Sequence, residues 1–103
     1  MYVASLRYQD NTHLHGPLAL ALAPNGDLVT ANGDAVNPPD AQHASEIVEF
    51  TPGGSFVAQM QVDPTAGAAF GLAFGLSSSG QSQFAAVNDN TNTATVWTLR
   101  PSN

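Results

Sequence analysis

His13 and His15 stand two residues apart in the run NTHLHG, so in an extended segment their imidazoles point the same way. Imidazoles so placed, gathered in a ring by symmetry, could ligate a transition metal. The plainer chemistry of the same spacing is two loop histidines bonding backbone carbonyls or water. Asp34 and Asp89 are the carboxylates that could join them, as ligands or as an acid and a base. His43 sits in the Pro- and Ala-rich stretch NPPDAQHAS and reads as solvated. The run Asn88-Asp89-Asn90-Thr91-Asn92 offers oxygen ligands to calcium, but one carboxylate among asparagines is first of all turn chemistry. Asp27 reads as the cap of a Pro-Asn-Gly turn, and Ser77-Ser78-Ser79-Gly80 as a flexible turn, since no G-x-S-x-G surrounds it. No phosphate loop, catalytic carboxylate pair or metalloprotease motif occurs. The absence of cysteine removes thiolate ligands, disulfides and a thiol nucleophile together.

The elements that must carry these residues are extended. In GPLALALAPNGDLVTAN, Leu18, Leu20 and Leu22 alternate with alanine, Pro24-Asn25-Gly26 turns the chain, and Leu28, Val29 and Ala31 begin a second run. That is one hairpin. The same alternation recurs throughout, punctuated by Gly and Pro, with no helical stripe, so the chain reads as all-β. Its 103 residues suit one small domain. Ten residues carry formal charge; Arg7 and Arg100 oppose eight carboxylates, for a net charge of -6. Such a surface repels phosphate backbones and anionic lipid, so neither nucleic acid nor membrane is expected as a partner. No apolar run approaches the roughly 18 residues of a membrane span, and MYVASLRYQD has no signal-peptide core.

The chain repeats itself. Sliding it until Tyr2-Val3-Ala4 lies on Phe56-Val57-Ala58 also places Leu6 on Met60, Tyr8 on Val62 and Leu18-Ala19 on Leu72-Ala73. Two extra residues in the serine-rich turn then bring Asn32 onto Asn88, and beyond the long loop Ile47 meets Val96 and Phe50 meets Leu99. Each unit holds four strands, a to d, in about 50 residues, the period of propeller blades. The expected boundaries are 17 to 23, 27 to 32, 45 to 51 and 55 to 62 in the first unit, and 69 to 76, 82 to 88 and 94 to 100 in the second. The domain is then one two-blade unit over 1–103: a strand d over 1–10, a complete blade over about 16–62, and strands a to c over about 68–101.

Gly16-Pro17-Leu18-Ala19-Leu20-Ala21, followed by Pro24-Asn25-Gly26-Asp27-Leu28-Val29, resembles the NHL repeat, whose pattern runs G-P-x-G-I-A, then D-x-x-G, then a strand like L-Y-V-A-D. Val87 to Asn92 is similar to that family's V-A-D-x-x-N stretch, and Glu46 to Gly54 to its closing strand and turn. Glu46 or Thr95 stands where the family usually has arginine, and Asn32 where it usually has aspartate. The resemblance implies a β-propeller, usually of six blades, serving protein binding, RNA binding or occasionally catalysis, and propeller lyases similar to NHL proteins bind zinc in their channel.

Two blades do not close a ring, and the cut between strands c and d leaves two raw sheet edges. Three copies, each lending its N-terminal strand to a neighbour's last blade, would close six blades with threefold symmetry, and four would close eight; residues that are a piece of one longer propeller chain would assemble into the same ring. An isolated chain would expose blade faces such as Phe70, Phe74, Phe84 and Trp97, although the alternation assigns Phe84 and Trp97 to the core between blades. Strand alternation places the d-to-a and b-to-c loops on one face, which gathers His13, His15, Asp34, His43 and Asp89 there, with His15 near the channel mouth. The expected function is a non-catalytic oligomeric scaffold or binding module taking a small molecule, peptide or glycan at the axis. The alternatives are a metal-dependent propeller enzyme of lyase or hydrolase type using His13 or His15 with Asp34 or Asp89, and a protein whose assembly is itself the function.

Overall fold

Seven antiparallel strands in two sheets make up the fold in the computed structural model, which describes residues 3–33 and 42–99. The first sheet, in order β1-β2-β3-β4, contains β1 (Pro17–Leu22), β2 (Leu28–Asn32), β3 (Glu46–Phe50) and β4 (Phe56–Gln61). The second, β5-β6-β7, contains β5 (Ala69–Leu76), β6 (Ser82–Asn88) and β7 (Thr93–Thr98). The all-β expectation and the sequential meander of each unit are therefore what the chain forms, with four strands in one sheet and three in the other.

One turn design makes three of the hairpins. At Ala23–Asp27, Thr51–Ser55 and Ser77–Gln81 the first N–H reaches the last carbonyl at 2.8 Å, and the fourth residue, a glycine, donates to the first carbonyl at 3.0 Å. Gly26, Gly54 and Gly80 hold φ of 91°, 100° and 86°, a left-handed conformation that costs any other L-residue about 1 kcal/mol or more. Asn25 caps the first of these turns by accepting the Asp27 N–H at 3.0 Å, so the cap expected of Asp27 comes from its neighbour.

Alternation decides which side chains meet. Opposite partners share a face: Ala19 with Ala31 and Ala21 with Val29 in the first sheet, Leu72 with Ala86 and Phe74 with Phe84 and Trp97 in the second. The core between the sheets is built from Ala23, Val29, Ala31, Ile47, Ala69, Phe84 and Ala86, with Ala19, Val62, Leu72, Phe74 and Trp97 packed against it. Small residues on β1 and β2 let β5 approach closely, while the aromatic trio fills the wider part; Phe84 lies 5.5 Å from Trp97 and 4.9 Å from Phe74 between ring centroids. Phe84 and Trp97 thus lie in the inter-sheet core, and of the four aromatics expected to be exposed only Phe70, at 39%, is so.

The outer faces are apolar too. Leu20 and Leu22, on the face that carries Thr30 and Leu28, are 65% and 66% exposed, and Val96, opposite Ala85 on the second sheet's outer face, is 57% exposed. The leucines that mark the first hairpin in the sequence therefore point away from the core, and its alanines point in.

The register corrects the internal alignment. The Gly33 N–H donates to the Gly16 carbonyl at 2.8 Å just as the Asp89 N–H does to the Ala68 carbonyl, so Gly16 corresponds to Ala68, and Leu20 to Leu72. The second a-b hairpin is longer by two residues on each strand, its turn being the same length. Val48 then matches Thr95 and Phe50 matches Trp97, two positions from the pairing that sequence sliding suggests. Residues 3–10 join neither sheet; Tyr8 stacks on Phe50 with centroids 4.4 Å apart, which lays the segment against the first sheet's outer face.

Candidate functional site

The site is built at the end of the sheets where the chain enters β1 and β5 and leaves β2 and β6. Asp10 organises the first entry loop. Its Oδ1 accepts the N–H groups of Thr12 at 2.7 Å and His13 at 3.1 Å, and its Oδ2 accepts the Tyr8 hydroxyl and the His13 Nδ1–H, the latter at 2.5 Å. Burial pushes the Asp10 carboxyl up, but these four donors outweigh it and hold it well below the usual carboxylate range. Burial and the carboxylate it bonds push the Tyr8 phenol up to about 12. The His13 ring lies flat on Phe56, centroids 3.7 Å apart.

His15 takes a different set of partners. Its Nε2–H donates to the Thr12 carbonyl at 3.1 Å and its backbone N–H to Asn32 Oδ1 at 3.0 Å. Asn32 is fully buried, and its amide returns to the His13 carbonyl at 2.6 Å. The asparagine at the end of β2 thus clamps the backbone on both sides of Leu14. The two imidazoles belong to one loop but take separate partners, the His13 ring on Phe56 and Asp10 and the His15 ring on the Thr12 carbonyl.

The second unit repeats the device with another chemistry. Asn88, at the end of β6, donates to Asp63 Oδ2 at 2.9 Å, and the Asp63 Oδ1 accepts the Thr65 N–H at 2.8 Å, as Asp10 does for Thr12. Asn90 adds longer contacts to the same carboxylate at 3.4 Å. The Asn88 bond first, then the Thr65 N–H, holds the Asp63 carboxyl below its usual range. Ser45, fully buried, ties the two units by donating to the Thr65 carbonyl at 2.5 Å and accepting the Ala68 N–H at 3.0 Å.

Among the candidate residues, Asp89 is exposed just past β6, and only its backbone N–H is engaged in the register bond to Ala68. His43 is exposed on the approach to β3. Asp34 lies outside the described residues. The Asn88–Asn92 run is a turn: Asn88 Oδ1 accepts the Asn90 N–H at 2.9 Å, the Thr91 and Thr93 hydroxyls bond at 2.6 Å, and Asn92 is left-handed at φ 57°. Among the described residues no group of three or more His, Asp or Glu side chains is arranged to hold a metal ion. Asn32, Asp63 and Ser45 are the residues that composition and motif reading miss; the repeat, which aligns Asn32 with Asn88, is a signal for the first of them alone.

These features define an all-β chain of two successive, similarly built antiparallel sheets whose entry loops are pinned by the residue ending each second strand. No known protein family, characterised protein or solved structure matches the chain.

Proposed function

We propose that the chain is the two-blade protomer of a closed, NHL-like β-propeller, completed by other copies of itself, and that the ring is a non-catalytic scaffold binding a small molecule or peptide at its axis. The observation that carries this reading is the difference between the sheets. The first has four strands, the second has three with β7 as its edge, and the alternating residues 3–10 join no ladder within the chain. One copy's N-terminal segment is the strand that another copy's β7 lacks.

The outer faces support the same arrangement. Leu20 and Leu22 on one side and Val96 on the other lie on faces that a head-to-tail neighbour would cover, and each leucine so buried contributes about 1–2 kcal/mol. Three copies make six blades. In that ring the loops bearing His13, His15, Asp34 and Asp89 face one mouth of the channel, and the hydrogen bonds that tie the His13–His15 backbone to Asn32 give this rim a fixed shape for a ligand.

A second reading has one observation in its favour. A carboxylate on one imidazole nitrogen is the support a metal-ligating histidine commonly has, and Asp10 gives it to His13 Nδ1. A metal-dependent propeller enzyme would use the His13 Nε2 atoms of several copies.

Native mass spectrometry tests the assembly. A mass of about three times 10.6 kDa, lost on deletion of residues 1–10, is the expected result. A folded monomer at micromolar concentration overturns the reading. Zinc bound at one or more per ring, and lost in His13→Ala, would favour the metal enzyme over the scaffold.

A further inference from the structure

Toward the turn end, away from the Asn32 clamp, a cleft of about 620 Å3 lies between the two sheets. Ile47, Met60, Phe74 and Phe84 line it, and Asn25 and Glu49 stand at its polar edge. That volume is within the range of small-molecule sites, and an apolar body with a few convergent polar groups is their usual composition.

The polar edge carries excess negative charge. Asn25 Nδ2 donates to Glu49 Oε2 and to Asp27 Oδ2, both at 3.3 Å, so two carboxyls share one weak amide donor. Burial, and then the Asp27 carboxyl beside it, raise the Glu49 carboxyl above its usual range. Among the described residues no lysine or arginine forms an ion pair with either group. The described residues that the second unit brings to this edge are neutral: Gly80, Gln81 and Ser82.

We propose that this cleft binds a small amphiphilic cation, its aromatic or aliphatic body between Met60, Phe74 and Phe84 and its ammonium between Glu49 and Asp27. An ammonium brings three N–H donors where Asn25 offers a single amide, and it neutralises charge that no described residue at the mouth opposes. The cleft lies within one chain, so the proposal does not depend on ring assembly.

Trp97, the only tryptophan, stacks on Phe84 and reports on the cleft through its fluorescence. The probes are 4-phenylbutylamine, 4-phenylbutanol and 4-phenylbutyrate, titrated into the intact protein at pH 7 and low salt. Saturable changes are expected with the amine about fivefold tighter than the alcohol, and the carboxylate weakest. Glu49→Gln should bring the amine to the level of the alcohol and leave the alcohol unchanged. Equal affinities for the three probes, or no saturation at millimolar concentration, would overturn the proposal. Should Glu49→Gln fail to fold by circular dichroism, Asp27→Asn carries the same comparison, and equal affinities of the amine and the alcohol for the wild type decide against the cation by themselves.

Discussion

Replacing Asn32 by alanine probes the strand-end clamp most directly. The side chain is fully buried and makes two hydrogen bonds to backbone, from the His15 N–H at 3.0 Å and to the His13 carbonyl at 2.6 Å. Alanine would leave a donor and an acceptor without these partners in a site closed to bulk water, at about 1–3 kcal/mol each where they stay buried. Partial opening of the half-buried entry loop lets water reach one of them, which brings the expected loss to about 2–4 kcal/mol. A chain of this size holds roughly 5–10 kcal/mol in total, so a large fraction of its stability rests on one amide. With a urea slope of about 1–1.5 kcal/mol per molar, the midpoint should fall by about 2 M, followed by Trp97 fluorescence at fixed protein concentration. Asn88→Ala is the internal control. Asn88 is half-buried and bonded to a carboxylate that keeps the Thr65 N–H, so its loss should be clearly smaller. Losses below about 0.5 kcal/mol for Asn32→Ala, or equal losses for the two variants, would refute the clamp.

Three more outcomes follow from the same geometry. Asp10 and Asp63 are held below the carboxylate range when folded, so the unfolded chain binds more protons in acid; their contribution is complete above about pH 4 and is lost as pH falls below that, and Asp10→Asn should flatten the decline of the urea midpoint between pH 4.5 and 2.5. Glu49 has the opposite sign. Its raised carboxyl makes the folded chain bind more protons than the unfolded one, so its contribution fades as pH rises through that value, and Glu49→Gln, which can still accept from Asn25, should raise the melting temperature by a few degrees at pH 7 with no gain at pH 3.5. Gly54→Ala forces alanine to φ 100° and brings its Cβ to 2.9 Å from the Arg7 carbonyl, which should cost about 1–3 kcal/mol and loosen the Tyr8–Phe50 contact, seen as faster proteolysis after Arg7.

Strand positions were legible because alternation and turn chemistry are local. Pro24-Asn25-Gly26 and Ser77 to Gly80 specify their turns through one left-handed glycine each, and the flanking strands fall within a residue or two of their expected bounds. Face assignment was not legible for the first hairpin. Leucine at every second position suggests a core-facing row, yet the row points outward, because an alanine face permits the approach of β5 and a leucine face would hold it off. The pairing of strand c also escaped sequence sliding. A hairpin lengthened by two residues on both strands keeps its turn and its alternation, so nothing in a one-dimensional alignment marks the slip. The site was legible only in outline: loop order places His13, His15 and Asp89 at one end, but the buried partners that shape that end, Asn32, Ser45 and Asp63, are ordinary turn-type residues until the register shows what they bond.

The two clamps bear on how such units stack. Asn32 holds its entry loop through neutral backbone groups, whereas Asn88 holds its own through the Asp63 carboxylate, and Ser45 bonds Thr65 and Ala68 beside that second entry. The first entry loop is instead braced by side chains that precede β1, with Asp10 gathering Tyr8 and His13, and the two rings lying on Phe50 and Phe56. The second clamp is therefore fastened by the preceding sheet of the same chain. The first is fastened by the segment that the proposed ring assigns to the preceding sheet of a neighbour. In that ring the first loop gains the support the second already has, and residues 3–10 gain backbone partners along β7 that they lack within one chain. In the proposed ring, the segment that Tyr8 lays on Phe50 without joining a sheet is half of such a joint, and the edge of β7 is the other half.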